Sequence, residues 1–91
     1  MRTETVEILN KAGLHARPAS LFVRAASSFK SEVSLEKGGK KVTAKSILGV
    51  LSLGIRLGDE VVLRCQGPDE EEALTQLTEL VYSKFGEKDE G

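Results

Sequence analysis

The sequence predicts an α+β fold with element order βαββαβα, a four-stranded antiparallel sheet that carries three helices on one face and leaves the other wet. Two features of the chain predict it. Segments in which apolar and polar residues alternate, the period of a half-buried strand, interleave with segments whose apolar residues recur every three or four positions, the period of a helix. In addition, Lys37-Gly38-Gly39-Lys40 joins two alternating segments directly, and so short a connection makes a hairpin. One-sided alternation of this kind suits an antiparallel sheet covered by helices on a single face.

The elements follow in order. Thr5-Val6-Glu7-Ile8-Leu9 reads as a strand burying Val6 and Ile8, and residues 10–13 turn. From residue 16 to about 28, Pro18, Phe22, Ala25, Ala26 and Phe29 fall at helical spacing, with Ser20, Arg24 and Ser27 toward the opposite side. Residues 32–36 alternate, the Gly38-Gly39 turn follows, and residues 41–43 return as the third strand. Ser46 precedes Ile47-Leu48-Gly49-Val50-Leu51-Ser52-Leu53 as an N-cap, with Gly54 behind as a C-cap. That short helix has an interior glycine and is apolar almost all round. Either it is central core, or some of Ile47, Leu48 and Leu51 faces a partner. Gly58-Asp59 turns into residues 60–66, where Val61, Leu63 and Cys65 share a face. Gly67-Pro68-Asp69 announces the last helix, with Asp69 as N-cap and Glu72 completing a variant capping box. Leu74, Leu77, Leu80 and Val81 form its apolar stripe, and Lys84 with Gly86 closes it. The charged tail, residues 87–91, lacks apolar anchors and is expected to fray.

With 91 residues the chain is read as one domain, residues 1–91, with a modest core. Any chemistry must then be shallow and shared with a partner. Thirteen basic and 14 acidic residues, a formal charge of −1, argue against a nucleic-acid or membrane surface built on net charge. The single cysteine, Cys65, rules out an internal disulfide and reads as buried filler, the alternative being a reactive thiol. One histidine and one cysteine cannot make an ordinary zinc site, so neither metal nor cofactor is expected. No signal peptide and no apolar run near 18 residues stands out, so the expected location is the cytoplasm, without membrane insertion.

The chemistry gathers in Ala12-Gly13-Leu14-His15-Ala16-Arg17-Pro18-Ala19-Ser20. The only histidine falls where a helix starts, and there the first backbone N–H groups lack partners and the helix dipole is positive. That is an anion site. His15 would be the nucleophile, with the N–H of Ala16 and the guanidinium of Arg17 beside it for phosphoryl oxygens. Pro18 fits only the first helical turn. A residue before proline avoids the α region, so the helix starts either at Ala16 or, with Arg17 as cap, at Pro18.

Gly13-Leu14-His15-Ala16-Arg17-Pro18-Ala19 resembles the active-site signature of the HPr family, the histidine-containing phosphocarriers of the bacterial phosphoenolpyruvate-dependent sugar phosphotransferase system. Lys45-Ser46-Ile47-Leu48-Gly49-Val50-Leu51-Ser52-Leu53-Gly54 resembles that family's regulatory serine and short docking helix, at the family spacing. Nearly the whole chain is covered, and the resemblance implies the HPr-like open-faced sandwich. It also implies that His15, through Nδ1, takes a phosphoryl group from phosphorylated enzyme I and passes it to sugar-specific enzyme IIA components. The chain would be a stoichiometric carrier, not an enzyme. Ser46 would be the target of a serine kinase and phosphorylase, although capping alone also explains a serine there. Ser20, Arg24, Lys45, Ile47, Leu48, Leu51 and Arg56 are the candidate docking residues; for the charged ones a solvated surface role is the alternative. The resemblance tips Ile47, Leu48 and Leu51 toward exposure. Ala12 stands where the family often has a small polar residue, and Leu48 and Leu51 where many members have methionine or phenylalanine.

Two other readings compete. A regulatory or nitrogen-branch carrier would use the same chemistry with acceptors that control metabolism. A small RNA- or ligand-binding module is more remote, because Phe22, Phe29 and Phe85 fall on predicted helices and no exposed aromatic pair is left on the strands to stack bases. A carrier that alternates between partners is expected to work as a monomer.

Overall fold

The computed structural model describes residues 1–86; the tail reading, residues 87–91, lies outside them. The element order is β1 (Arg2–Glu7), α1 (Ala16–Ser27), β2 (Glu32–Lys37), β3 (Lys40–Thr43), α2 (Ile47–Leu51), β4 (Glu60–Gln66) and α3 (Glu70–Tyr82), followed by a turn over Lys84–Gly86. All strand pairs are antiparallel, in the order β1-β4-β2-β3. The βαββαβα expectation, with helices on one face, is what the chain adopts.

Alternation decides which face the helices cover. Val61, Leu63 and Cys65 of β4 point inward, opposite Val33 and Leu35 of β2 and Val6 of β1, and all six are buried. Burial pushes the Cys65 thiol up to about 11, so it is protonated filler at neutral pH. On the outer face Arg64 pairs with Glu36. Gly38 and Gly39 both take positive φ, +57° and +83°, as a two-residue hairpin turn with a matching twist requires. β1 begins nearer the terminus than its alternation suggests, because Arg2, Thr3 and Glu4 pair with Cys65, Arg64 and Leu63 of β4, and exposed Arg2 meets Glu70 and Glu71.

Two expectations are corrected. Asp69 occupies the N-cap position of α3, but its carboxylate makes no cap bond. It instead accepts from the Ser31 hydroxyl and from the backbone N–H groups of Lys30 and Ser31, both at 2.9 Å. Glu70, not Glu72, reaches back to the Gly67 N–H, at 3.1 Å. The Asp69 side chain thus fastens the α1–β2 connection to the start of α3. The second correction concerns Phe85, which is not helical. α3 ends at Tyr82, and Lys84 and Phe85 both take left-handed backbone, φ +58° and +55°. Each such residue costs about 1–2 kcal/mol. Burying a phenylalanine returns about 1.5–3 kcal/mol, and its edge contact about 0.5–1.5 more. Phe85 makes that contact with Phe22 of α1, ring centroids 6.3 Å apart.

The Asp69 clamp makes a pH prediction. The Ser31 hydroxyl first, then the Lys30 N–H, lower the Asp69 carboxyl to about 2. Since the unfolded chain takes up that proton near pH 4, the stabilisation is complete above about pH 4 and is lost as pH falls toward 2. Asp69→Asn is expected to lower Tm by roughly 5–10 °C at pH 7 and to flatten the loss of Tm between pH 4 and pH 2. Thermal melts followed by circular dichroism across that range check both.

Candidate functional site

The connection from β1 to α1 is tied to the loop between α2 and β4. Beyond β1, the Ile8 N–H donates to the Asp59 carbonyl at 2.9 Å and the Gly58 N–H to the Ile8 carbonyl at 2.7 Å. Asn10 is buried; its Nδ2 donates to the Gly13 carbonyl at 2.6 Å, while the Gly13 N–H donates to the Asn10 carbonyl at 3.1 Å. Gly13 has φ +59°, and a Cβ on it would stand 2.4 Å from the Ile55 carbonyl oxygen and 2.8 Å from Arg56 Cα. Only glycine fits there without displacing backbone. The Leu14 N–H then donates to the Ile55 carbonyl at 3.1 Å, and the Leu14 side chain enters the core. Asp59 steadies the facing loop, accepting from Lys37 Nζ at 2.9 Å and from the Arg56 N–H at 2.8 Å. Those two donors, Lys37 first, hold its carboxyl below the usual range.

This chain path delivers His15 to the N-cap of α1. Its backbone is extended (φ −80°, ψ −166°), its side chain is exposed and makes no cap bond, and its carbonyl accepts the Ala19 N–H at 2.8 Å. Ala16 is the first helical residue, so the alternative with Arg17 as cap is not the one adopted. Pro18 is buried in the first turn, where its ring would contact the carbonyl of Leu14, which lies outside the helix. The N–H groups of Ala16 and Arg17 therefore precede any intrahelical acceptor, and the first turn holds no acidic residue. Arg17 is exposed beside them. An imidazole, two unspent donors and a guanidinium at one helix start can hold an anion and attack an electrophilic phosphorus.

α2 runs back along α1. It begins next to Lys45, whose Nζ donates to the Phe29 carbonyl just past the C-terminal end of α1 at 2.9 Å, and it leads to Ile55 at the N-terminal end. Ser46 caps it, the Gly49 N–H donating to Ser46 Oγ at 3.1 Å. Of the two readings of this short helix, each holds for part of it. Val50 and Leu53 are core, at 0 % and 7 % exposure, whereas Leu48 is 80 % exposed and Ile47 and Leu51 41 % and 37 %. His15 thus stands at the start of α1, a helix of 12 residues and about 18 Å, whereas Ser46 stands next to Lys45, which reaches the connection past the other end of that helix. Arg24 is exposed in the last turn of α1, Arg56 is exposed with its backbone against Gly13, and Ser20 is half-buried in the first half of α1. Three residues that shape this region went unread in the sequence. Leu57, 54 % exposed, looks like an ordinary turn residue, and Asn10 and Asp59 look like ordinary turn formers. Among the described residues no cluster of three or more ligating side chains is present, and no helix is long and apolar enough to cross a membrane.

Fold and site together define a phosphocarrier of the HPr type: the family described as "PTS HPr component phosphorylation site" matches residues 2–83, and the chain belongs to it. Among its relatives, the HPr-like protein Crh of Bacillus subtilis is 54 % identical over 84 residues, 92 % of this chain and 99 % of that one. Phosphocarrier protein HPr of Treponema pallidum is 46 % identical over 88 residues, 97 % of this chain and 100 % of that one. The solved structure of HPr from Thermoanaerobacter tengcongensis superposes with a TM-score of 0.95 at 55 % identity, covering 98 % of this chain and 100 % of that one.

Proposed function

We propose that this chain carries a phosphoryl group on His15, taking it from phosphorylated enzyme I and passing it to sugar-specific enzyme IIA components. The observation that supports this most is the exposed His15 imidazole at the N-cap of α1, beside the unspent N–H groups of Ala16 and Arg17. An imidazole nitrogen, Nδ1 by family analogy, forms a bond to phosphorus as the bond to the donor breaks, and the electron pair leaves with the donor. Onward transfer runs the same step with this chain as the leaving group. Arg17 and the two N–H groups steady the phosphoryl oxygens, and a docked partner excludes water. The dipole term, about 0.3–1 kcal/mol at an exposed site, suits a carrier that must also release its cargo.

Exposed Ile47, Leu48 and Leu51, flanked by Ser20, Arg24, Lys45 and Arg56, form the docking face in this reading. Phosphorylation of Ser46 by a serine kinase would add about −1.5 to −2 charge at the start of α2, steadying the helix while repelling an acidic partner. The working unit is a cytoplasmic monomer, residues 1–91 acting as one domain.

Incubation with phosphoenolpyruvate and enzyme I is expected to add one acid-labile phosphate by intact mass, and none to His15→Ala. A wild-type chain that stays unmodified overturns the proposal. Adding an enzyme IIA component separates the branches, since a sugar-branch carrier is discharged by it and a regulatory or nitrogen-branch carrier is not.

A further inference from the structure

Two polar side chains are buried among the described residues, Ser31 and Asn10. Ser31 is accounted for by its bonds to Asp69. Asn10 is 0 % exposed, stands five residues before His15, and uses only half of its amide. Nδ2 donates to the Gly13 carbonyl at 2.6 Å, while Oδ1 is buried without a partner. The amide orientation follows from chemistry, because only the nitrogen end has hydrogens to give a carbonyl. A buried acceptor left unpaired is unfavourable, so the contribution of this side chain is its donor.

That donor acts on a particular peptide group. The carbonyl of Gly13 and the N–H of Leu14 lie in one rigid plane. Asn10 holds the carbonyl edge of the plane, and the Ile55 carbonyl holds the N–H edge at 3.1 Å. The plane is therefore pinned from both sides directly before Leu14, whose side chain is anchored in the core, and His15 is the next residue. Gly13, at φ +59°, otherwise has the greatest rotational freedom in this loop.

We propose that Asn10 is a positioning residue for phosphoryl acceptance: by fixing the peptide group between Gly13 and Leu14, it sets the direction in which the His15 imidazole meets the incoming phosphorus. This rests on the carrier reading above. Asn10 touches no substrate and acts through the backbone. A near-attack geometry depends on such a support, because a misplacement of about 1 Å slows a transfer by about a hundredfold.

Asn10→Leu is the informative variant. It keeps the branched shape with bulkier ends, removes the donor, and trades one unpaired buried acceptor, Oδ1, for another, the Gly13 carbonyl, so some loss of Tm from the added bulk is expected and transfer is measured below the melting range of the variant. For phosphorylation by enzyme I, kcat is expected to fall at least tenfold with KM within twofold, because the α1–α2 face is untouched. His15 is the only histidine, so its imidazole signals in a nitrogen–proton correlation spectrum report on the ring without any partner present. They are expected to shift or broaden in the variant while the signals of α3 hold. Asn10→Ala, measured below its own melting range, serves if Asn10→Leu does not fold. A folded variant that transfers phosphate within twofold of wild type overturns the proposal, as does a loss confined to KM or an unchanged imidazole spectrum. A wild-type chain that takes no phosphate overturns the carrier reading instead, and the spectrum still decides whether Asn10 orients the ring.

Discussion

Gly13→Ala is expected to destabilise the fold by about 3 kcal/mol, to lower Tm by roughly 15 °C, and to slow phosphoryl acceptance more than tenfold in the chains that remain folded. Two effects add. A side chain at φ +59° costs about 1–2 kcal/mol in backbone strain alone. The new methyl group then meets main-chain atoms, the Ile55 carbonyl oxygen at 2.4 Å and Arg56 Cα at 2.8 Å, and neither can rotate away as a side-chain tip would. Relief requires parting the two loops, which breaks the bond from the Leu14 N–H to the Ile55 carbonyl and moves His15. Gly38 separates the two effects, since it has nearly the same φ, +57°, with nothing within 4 Å of an added Cβ. Gly38→Ala should show only the backbone strain and leave transfer unchanged. Equal Tm losses in the two variants, measured side by side, would show that the loops absorb the overlap.

What was legible in the sequence depended on how local its cause is. β4 was readable at its observed bounds because Val61, Leu63 and Cys65 alternate against a covered face, and the hairpin because two adjacent glycines permit little else. His15 was readable because a helix start carries its own donors, whatever the rest of the chain does. Asp69 was not. A capping side chain and a carboxylate that binds a loop 38 residues earlier look alike until Ser31 is seen beside it. Phe85 follows Val81 at helical spacing, so periodicity extends the helix to it; the left-handed turn at Lys84 is explained only by the pocket against Phe22. Asn10 was hidden for a third reason. Asparagine in a turn needs no tertiary partner, so its burial and its grip on Gly13 leave no mark in the pattern.

Ser46→Asp is expected to raise KM for enzyme I about tenfold at low ionic strength, an affinity loss of about 1.4 kcal/mol, with kcat within twofold of wild type. The split follows from distance. His15 starts α1 and Ser46 stands next to Lys45, which reaches past the other end of that helix, about 18 Å long against a Debye length of about 8 Å at physiological salt, so a charge there has little direct purchase on the imidazole. It does lie at the margin of the exposed Ile47, Leu48 and Leu51, where a docked acidic partner would meet it. Lys45 is poorly placed to neutralise it, because its ammonium is already bonded to the Phe29 carbonyl. Aspartate also caps a helix well, so the Gly49 N–H keeps an acceptor and α2 keeps its shape. Ser46→Ala gives the opposite case: it loses that cap, at about 1 kcal/mol of stability, and adds no charge. Its KM should stay near wild type. Raising the salt to about 0.5 M should shrink the Ser46→Asp effect to two- or threefold, because the repulsion acts across solvent. A defect that is insensitive to salt, or one carried by kcat, would mean that the charge works by rearranging α2 or the His15 loop.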